Sequence, residues 1–214
     1  MKVLNYGSLN VDYVYSVDHI IVGGETQHSS KLEVFSGGKG LNQSIALAKA
    51  GVPVYHAGIV GTDGDILLEA CKEAGVNTKY IRRLPVKGGH TMIQVDKNAQ
   101  NCIILYGGTN QMQTKEFVDE VLADFGEGDY LILQNEINML DYIIDQAYEK
   151  KMKIVMNPSP FDDKLSTCDL SKVYLFLVNE IEGEQITGCK DKDQILDAMA
   201  ARFPNARFVL TLGS

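Results

Sequence analysis

Residues 36–51 read Ser-Gly-Gly-Lys-Gly-Leu-Asn-Gln-Ser-Ile-Ala-Leu-Ala-Lys-Ala-Gly, and the fold is decided by how this stretch is understood. Gly37, Gly38 and Gly40 surround Lys39, an alanine-rich apolar run follows at once, and Gly51 stands where a helix would stop. The pattern predicts a flexible turn that opens onto a helix N-terminus and ends at a glycine C-terminal stop. Helix N-termini present unpaired N–H groups and a partial positive charge, and glycines let another group approach the backbone closely. A glycine turn that merely caps a core helix has the same sequence, so ligand site and plain cap are both open at this point. Two phosphate loops are excluded. Glu33 stands where a Walker A loop needs its first glycine, and Lys39 is followed by Gly40 rather than Ser or Thr. Gln43 takes the place of the third glycine of a dinucleotide fingerprint.

Outward from the turn, short apolar runs alternate with helical periods. Residues 3–6 and 54–60 read as buried strands, the first ending at Gly7-Ser8, and residues 66–74 as a helix stopped by Gly75. After Thr114 the alternation is regular. A helix over 114–125 carries Phe117, Val118, Val121, Leu122 and Phe125 on one face. Strand 130–133, helix 139–150, strands 153–156 and 173–178, helix 192–203 and strand 207–212 follow. This order predicts an α/β fold, a three-layer, doubly wound, mostly parallel sheet with helices on both faces. Segments 13–35 and 89–106 differ: both are extended, and the second carries a hairpin signal around Asp96–Asn101. They predict a small antiparallel β lid set apart from the main layer.

Bulk composition narrows the function. The 214 residues are 45% hydrophobic and 22% charged, as in an ordinary globular domain, and the net charge of -8 argues against nucleic acid or an anionic membrane as partner. Cys71, Cys102, Cys168 and Cys189 form no C-x-x-C pair and the histidines are dispersed, so neither a zinc site nor a disulfide framework is indicated. Nothing resembles a secretion signal or a transmembrane run, and a cytoplasmic location is the expectation. In open parallel sheets ligands bind beyond the carboxyl ends of the strands. The polar residues predicted there are Asn10 and Asp12, Gln134-Asn135-Glu136, Asn157 to Pro160, Asn179 to Glu182, and Thr211 to Ser214. Any one of these groups alone reads as turn or cap residues; together they predict a site for a polar small molecule.

These residues resemble a known family. Gly-Gly-Lys-Gly-Leu-Asn-Gln-Ser at 37–44 is similar to the first signature of the ribokinase-like (PfkB) carbohydrate kinases, and Lys39 with the Asn42-Gln43 pair favours the ribokinase branch. Gly7-Ser8-Leu9-Asn10-Val11-Asp12 is similar to the family's N-terminal substrate motif, and Gly107-Gly108-Thr109-Asn110 to its turn after the lid hairpin. Asn157-Pro158-Ser159-Pro160 matches as well, and Asn179-x-x-Glu182 matches the N-x-x-E motif associated with Mg2+ and phosphate. The resemblance implies ATP-dependent phosphorylation of a sugar primary hydroxyl, with ribose converted to ribose 5-phosphate. Substrate binding falls by this resemblance to Asn10, Asp12, Gly38, Lys39, Gly40, Asn42 and Glu136, and nucleotide binding to Asn179, Thr211, Gly213 and Ser214. Asn179 and Glu182 would handle Mg2+ and phosphate. A K+ requirement belongs to the same family pattern but is not readable in this stretch. The lid implies a homodimer. Kinases for another sugar or a nucleoside, and a non-catalytic sugar-binding module, are the alternatives.

The chain departs from the family in one respect. The family's catalytic Gly-Ala-Gly-Asp turn, whose Asp is the base, has no counterpart before Ser214. Gly126-Glu127-Gly128-Asp129 matches it literally, yet leaves a helix and enters a strand, so no helix N-terminus faces the anion. Thr62-Asp63-Gly64-Asp65 precedes a helix but lacks the paired glycines. The expectation is therefore that residues 1–214 form the N-terminal two-thirds of a ribokinase-like domain. The C-terminal ATP and anion-hole part, with the catalytic residue, would lie beyond, and these residues alone would be inactive.

Overall fold

In chain order the elements are β1 (Val3–Tyr6), β2 (Asn10–Ser16), β3 (Lys31–Gly37), α1 (Lys39–Lys49), β4 (Val54–Val60), α2 (Asp65–Ala74), β5 (Asn77–Arg83), β6 (Gly89–Val95), β7 (Asn101–Tyr106), α3 (Lys115–Leu122), β8 (Tyr130–Gln134), α4 (Leu140–Glu149), β9 (Lys153–Asn157), β10 (Leu175–Asn179), α5 (Glu180–Thr187), α6 (Ile195–Arg202) and β11 (Arg207–Thr211). They come from a computed structural model that describes residues 1–212. Gly213 and Ser214, assigned to the nucleotide by resemblance, lie outside the described residues.

Seven strands form one sheet in the order β11-β10-β9-β8-β1-β4-β5, every neighbouring pair parallel. Successive side chains of a strand point to opposite faces, and that alternation divides the core in two. Leu4 and Tyr6 of β1 and Leu131 and Leu133 of β8 pack with Phe117, Val121, Ile143, Ile144 and Met199 from α3, α4 and α6. Val3 and Ile132, one residue out of phase, pack with Leu41, Leu67 and Cys71 from α1 and α2. The sheet is thus covered on both faces, as the apolar runs predict.

The lid is a second sheet in the order β3-β2-β6-β7. Its outer pairs are antiparallel, but β2 and β6 at its centre run parallel, so the sheet is mixed rather than antiparallel throughout. The cause is topological: the chain enters the lid twice from the same end, once after β1 and once after β5. Residues 25–30 contribute no strand to it.

Two elements were not legible in the sequence. β5 reads Asn-Thr-Lys-Tyr-Ile-Arg-Arg, too polar for a buried run, because it is the sheet's edge and only Tyr80 is buried. α5 carries Gly183 in its middle, where glycine costs a helix about 1 kcal/mol against alanine. The space explains it: a Cβ on Gly183 would lie 2.5 Å from Cγ2 of Ile195, a buried residue of α6. Gly183→Ala is therefore expected to lower stability by roughly 1–3 kcal/mol through overpacking, despite its better helix propensity. Urea unfolding checks this, and a more stable variant would show that α5 and α6 do not need the close approach.

Candidate sugar and phosphate site

From β1 the chain builds β4 and β5 on one side of that strand, then crosses to β8 on the other. The carboxyl end of β1 is thus the point where strand order reverses, the position at which open parallel sheets leave a crevice. The loop Gly7-Ser8-Leu9 leaves β1 there and runs against the start of α1. A Cβ on Gly40 would lie 2.4 Å from Ser8 N and 2.6 Å from Gly7 C, so backbone packs directly on backbone. Gly38, the N-cap, has φ of 98°, a left-handed value that favours glycine.

This packing consumes the helix N-terminus. Lys39 N donates to Glu136 Oε2 at 3.0 Å, and Gly40 N to Ser8 Oγ at 3.1 Å. Leu41 N donates to the Ser8 carbonyl and Asn42 N to the Gly38 carbonyl, each at 3.0 Å. The Ser8 hydroxyl completes the arrangement by donating to Glu136 Oε2. Every N–H of the first turn has a protein acceptor, and the Glu136 carboxylate already sits at the positive end of the dipole. The turn is not a phosphate cradle.

What remains around it is side-chain chemistry. Asn10 and Asp12 lie two residues apart on β2 and so share a face at the root of the lid. Asp12 Oδ1 accepts from the Thr91 hydroxyl at 2.6 Å, and a Cβ on Gly37 would collide with Asp12 Oδ2 at 1.9 Å. Burial pushes the Asp12 carboxyl up, and the Thr91 hydrogen bond offsets part of that rise. Asn10 Oδ1 accepts from Asn110 Nδ2 at 2.7 Å. Asn42 is exposed on the first turn of α1, three residues beyond Lys39 and on the same side of the helix.

A cavity of about 190 Å³ adjoins this group and is lined by Lys39, Asn157, Ser159, Asn179, Glu182 and Thr211, among others. The ends of β9, β10 and β11 thus reach the space that Lys39 also borders. Asn179 and Glu182 form a capping box on α5: Glu182 N donates to Asn179 Oδ1 at 2.8 Å, and Asn179 N to Glu182 Oε2 at 3.0 Å. No group of three His, Cys, Asp or Glu among the described residues makes a metal cage. A single carboxylate beside two amides does fit Mg2+, which keeps several waters and takes few protein ligands.

The structure brings Asn10, Asp12, Gly38, Lys39, Gly40 and Glu136 together at the β1 crevice, and Asn179, Glu182 and Thr211 into the adjoining cavity. Asp129 lies at the amino end of β8, the opposite rim of the sheet, where Oδ1 accepts from Lys2 N at 2.6 Å. Asp63 accepts from Gly88 N at 2.9 Å and pairs with Lys87 at 2.7 Å, which ties its loop to the base of the lid.

Sequence reasoning missed the layer beneath. Asn5, Ser44 and His56 are buried under the turn, and with them Gln134, which the strand-end pattern assigned to the ligand site but which is the buried last residue of β8 and bonds to Asn5. Asn5 Nδ2 donates to the Gly40 carbonyl at 2.7 Å and to Ser44 Oγ at 2.8 Å, while Gln134 Nε2 donates to Asn5 Oδ1 at 2.9 Å. Ser44 Oγ lies 2.7 Å from His56 Nδ1, and His56 Nε2 lies 3.3 Å from the Gly7 carbonyl. That carbonyl can only accept, so Nε2 carries the proton and Nδ1 accepts from Ser44. For Asn5 and His56 the signal was a polar residue at the third position of a buried strand, which one chain cannot distinguish from a strand's exposed face.

Burial lowers the His56 pKa to about 4. Between the ordinary value of 6.5 and about 4 the unfolded chain takes up a proton that the folded chain refuses, so this contribution to stability is complete above pH 6.5 and declines as pH falls. Its size is on the order of 3 kcal/mol. His19, exposed and raised by its hydrogen bond to Glu25, acts in the opposite sense: its stabilisation is present below pH 6.5 and fades as pH rises. Urea titrations between pH 7 and 4.5 are expected to show stability falling with pH, and His56→Phe to remove most of that slope. Identical slopes in the two proteins would exclude a neutral His56.

Over residues 1–214 the sequence matches the family model described as pfkB family carbohydrate kinase. It is 32% identical over 218 residues to the ribokinase of Staphylococcus aureus, covering 99% of this chain and 70% of that protein. It is 31% identical over 196 residues to the ribokinase of Haemophilus influenzae, covering 88% of this chain and 63% of that one. The chain therefore spans about two-thirds of the length of these relatives. Among solved structures, the ribokinase of Cryptococcus neoformans in complex with ADP superposes with a TM-score of 0.80 at 28% identity, covering 99% of this chain and 73% of that one.

Proposed function

The chain belongs to the pfkB family of carbohydrate kinases, and from that premise we propose that it supplies the sugar-binding half of an ATP-dependent kinase that phosphorylates D-ribose on its primary hydroxyl. The observation that carries this reading is the consumed helix N-terminus. With every first-turn N–H engaged by Ser8, Gly38 or Glu136, the groups left around the turn are the side chains of Asn10, Asp12, Lys39 and Asn42. Such a mixture of donors and acceptors suits hydroxyls, each of which both donates and accepts. Asp12 takes a hydroxyl proton, while Lys39 and Asn42 give hydrogen bonds. Glu136 keeps one oxygen on α1 and can offer the other. Ribose is favoured by the ribokinase relatives.

The adjoining cavity is the route toward phosphate. Lys39 borders both spaces and brings a positive charge to the boundary between acceptor and donor. Asn179 and Glu182 are the residues that would hold Mg2+ through water, and Thr211 would meet the nucleotide. Mg2+ when bound supplies charge neutralisation on the transferring phosphates. ATP as the donor is supported by the ADP complex of the Cryptococcus relative. A second copy of the chain is the proposed occupant of the lid, whose Ile103, Ile104, Leu105 and Tyr106 are exposed on consecutive positions of β7. No helix among the described residues is long and apolar enough to cross a membrane, and the proposed kinase is a cytoplasmic one.

Calorimetric titration of this chain with D-ribose is expected to show binding without nucleotide, because the sugar residues come from the described segment. Asp12→Asn, which keeps the size but loses the acceptor charge, is expected to weaken it by about tenfold or more. A wild-type chain that binds no pentose would overturn the proposal.

A further inference from the structure

We infer that Asn110 sets the hydrogen-bond polarity of the sugar site by holding the Asn10 amide in one orientation, with its oxygen turned inward and its NH2 left for the ligand. The inference rests on the sugar-binding reading above and names a positioning residue outside the set that reading uses.

A backbone group decides the matter. Leu9 N–H donates to Asn110 Oδ1 at 3.0 Å. A backbone N–H can only donate, so the atom of Asn110 facing it is the oxygen, and the amide cannot be reversed. Asn110 Nδ2 is then directed at two acceptors, the Leu9 carbonyl at 3.3 Å and the Asn10 side chain at 2.7 Å. The Asn10 atom at that contact has to be Oδ1. Asn10 Nδ2 is left over: the side-chain hydrogen bond of Asn10 among the described residues is the one its Oδ1 accepts from Asn110, and Nδ2 is not among the buried atoms without a partner, so it faces the open side of the site. The pair is built into the fold rather than resting on its surface. Asn10 and Asn110 are 2% and 1% exposed, so the contact between the two amides is shielded from bulk water. A Cβ on Gly89 would lie 2.1 Å from Asn110 Nδ2 and 2.5 Å from Asn10 Oδ1, so the pair occupies the space a side chain on β6 would fill.

The consequence is chemical. Asp12, two residues along the same face, offers only acceptor oxygens when ionised. A hydroxyl has one proton. If that proton goes to Asp12, the same oxygen can take a second bond only from a donor, and Asn10 Nδ2 supplies it. Asp12 and Asn10 therefore form an acceptor–donor pair matched to hydroxyl groups. With Asn10 reversed the site would present two acceptors competing for one proton. Asn110, out of reach of the ligand itself, excludes that state.

The test uses Asn110→Asp, which still accepts from Leu9 N but can no longer donate to Asn10. Asn10 then turns its NH2 toward the new carboxylate and presents oxygen to the sugar. Calorimetry with D-ribose and each singly deoxygenated ribose is expected to identify, in the wild-type chain, one hydroxyl whose removal costs about tenfold or more in affinity. In Asn110→Asp, ribose affinity falls by a similar factor, and the analogue lacking that hydroxyl binds equally to both proteins. Gly89→Ala, which drives a Cβ between the two amides, is expected to give the same pattern. The side-chain NH2 resonances of Asn10 in the unaltered chain are expected to shift on ribose addition, a readout that needs no variant to fold. Unchanged ribose affinity in Asn110→Asp, equal losses for ribose and every deoxy analogue, or unmoved Asn10 NH2 resonances during ribose binding would each overturn the inference while leaving sugar binding by the wild-type chain intact. A wild-type chain that binds no pentose would overturn the proposed function itself, and this inference with it.

Discussion

The close contact of backbone on backbone between Gly7-Ser8 and Gly40 is the constraint on which the rest of the site depends. It requires glycine at both positions, since a Cβ on Gly7 would meet Gly40 Cα at 2.8 Å and one on Gly40 would meet Ser8 N at 2.4 Å. It brings the end of β1 under the first turn of α1, so that Ser8 can serve two of that helix's N–H groups and donate to Glu136. β8 is held in place by the same contact, because Glu136 reaches α1 from just past that strand's end. Three segments far apart in sequence are locked where the strand order reverses.

That lock determines the chemistry. A free helix N-terminus in a crevice would favour a phosphate, but here the dipole is already complemented by an internal carboxylate. On the proposed reading, the residues around the turn suit something neutral and rich in hydroxyls, and the cavity that Lys39 borders suits anionic groups. Beneath the lock, Asn5, Ser44, His56 and Gln134 hold the Gly7 and Gly40 carbonyls through a chain of bonds running in one direction. Four buried polar side chains are a costly way to fill a core, tolerable where each has partners. Gln134 Oε1 is the exception: it is buried without a hydrogen-bond partner.

The parallel sheet was legible because its strands carry apolar runs and its helices carry faces such as Phe117, Val118, Val121 and Leu122, and periodicity reports burial directly. The glycine turn and the polar residues past the strand ends were legible for a related reason, since turns and crevices need particular residue types. β5 and α5 were not, because an edge strand can be polar and a helix can carry glycine where a neighbour demands room. Nor was the pairing of Asn110 with Asn10, one hundred positions apart; a glycine-rich turn ending in asparagine marks a turn without naming its partner. The parallel β2–β6 pair was hidden similarly, as strand direction follows from where each lid segment enters.

Amide chemical shifts of Lys39, Gly40 and Leu41 provide the most direct measurement, because they report on the donors at issue. Titration with D-ribose is expected to shift the resonances of Gly37 to Asn42 in a saturable manner, while inorganic phosphate at the same concentrations leaves the three amides unmoved. Saturable shifts of Lys39, Gly40 and Leu41 with phosphate, and none with ribose, would show that the helix N-terminus is an anion site after all.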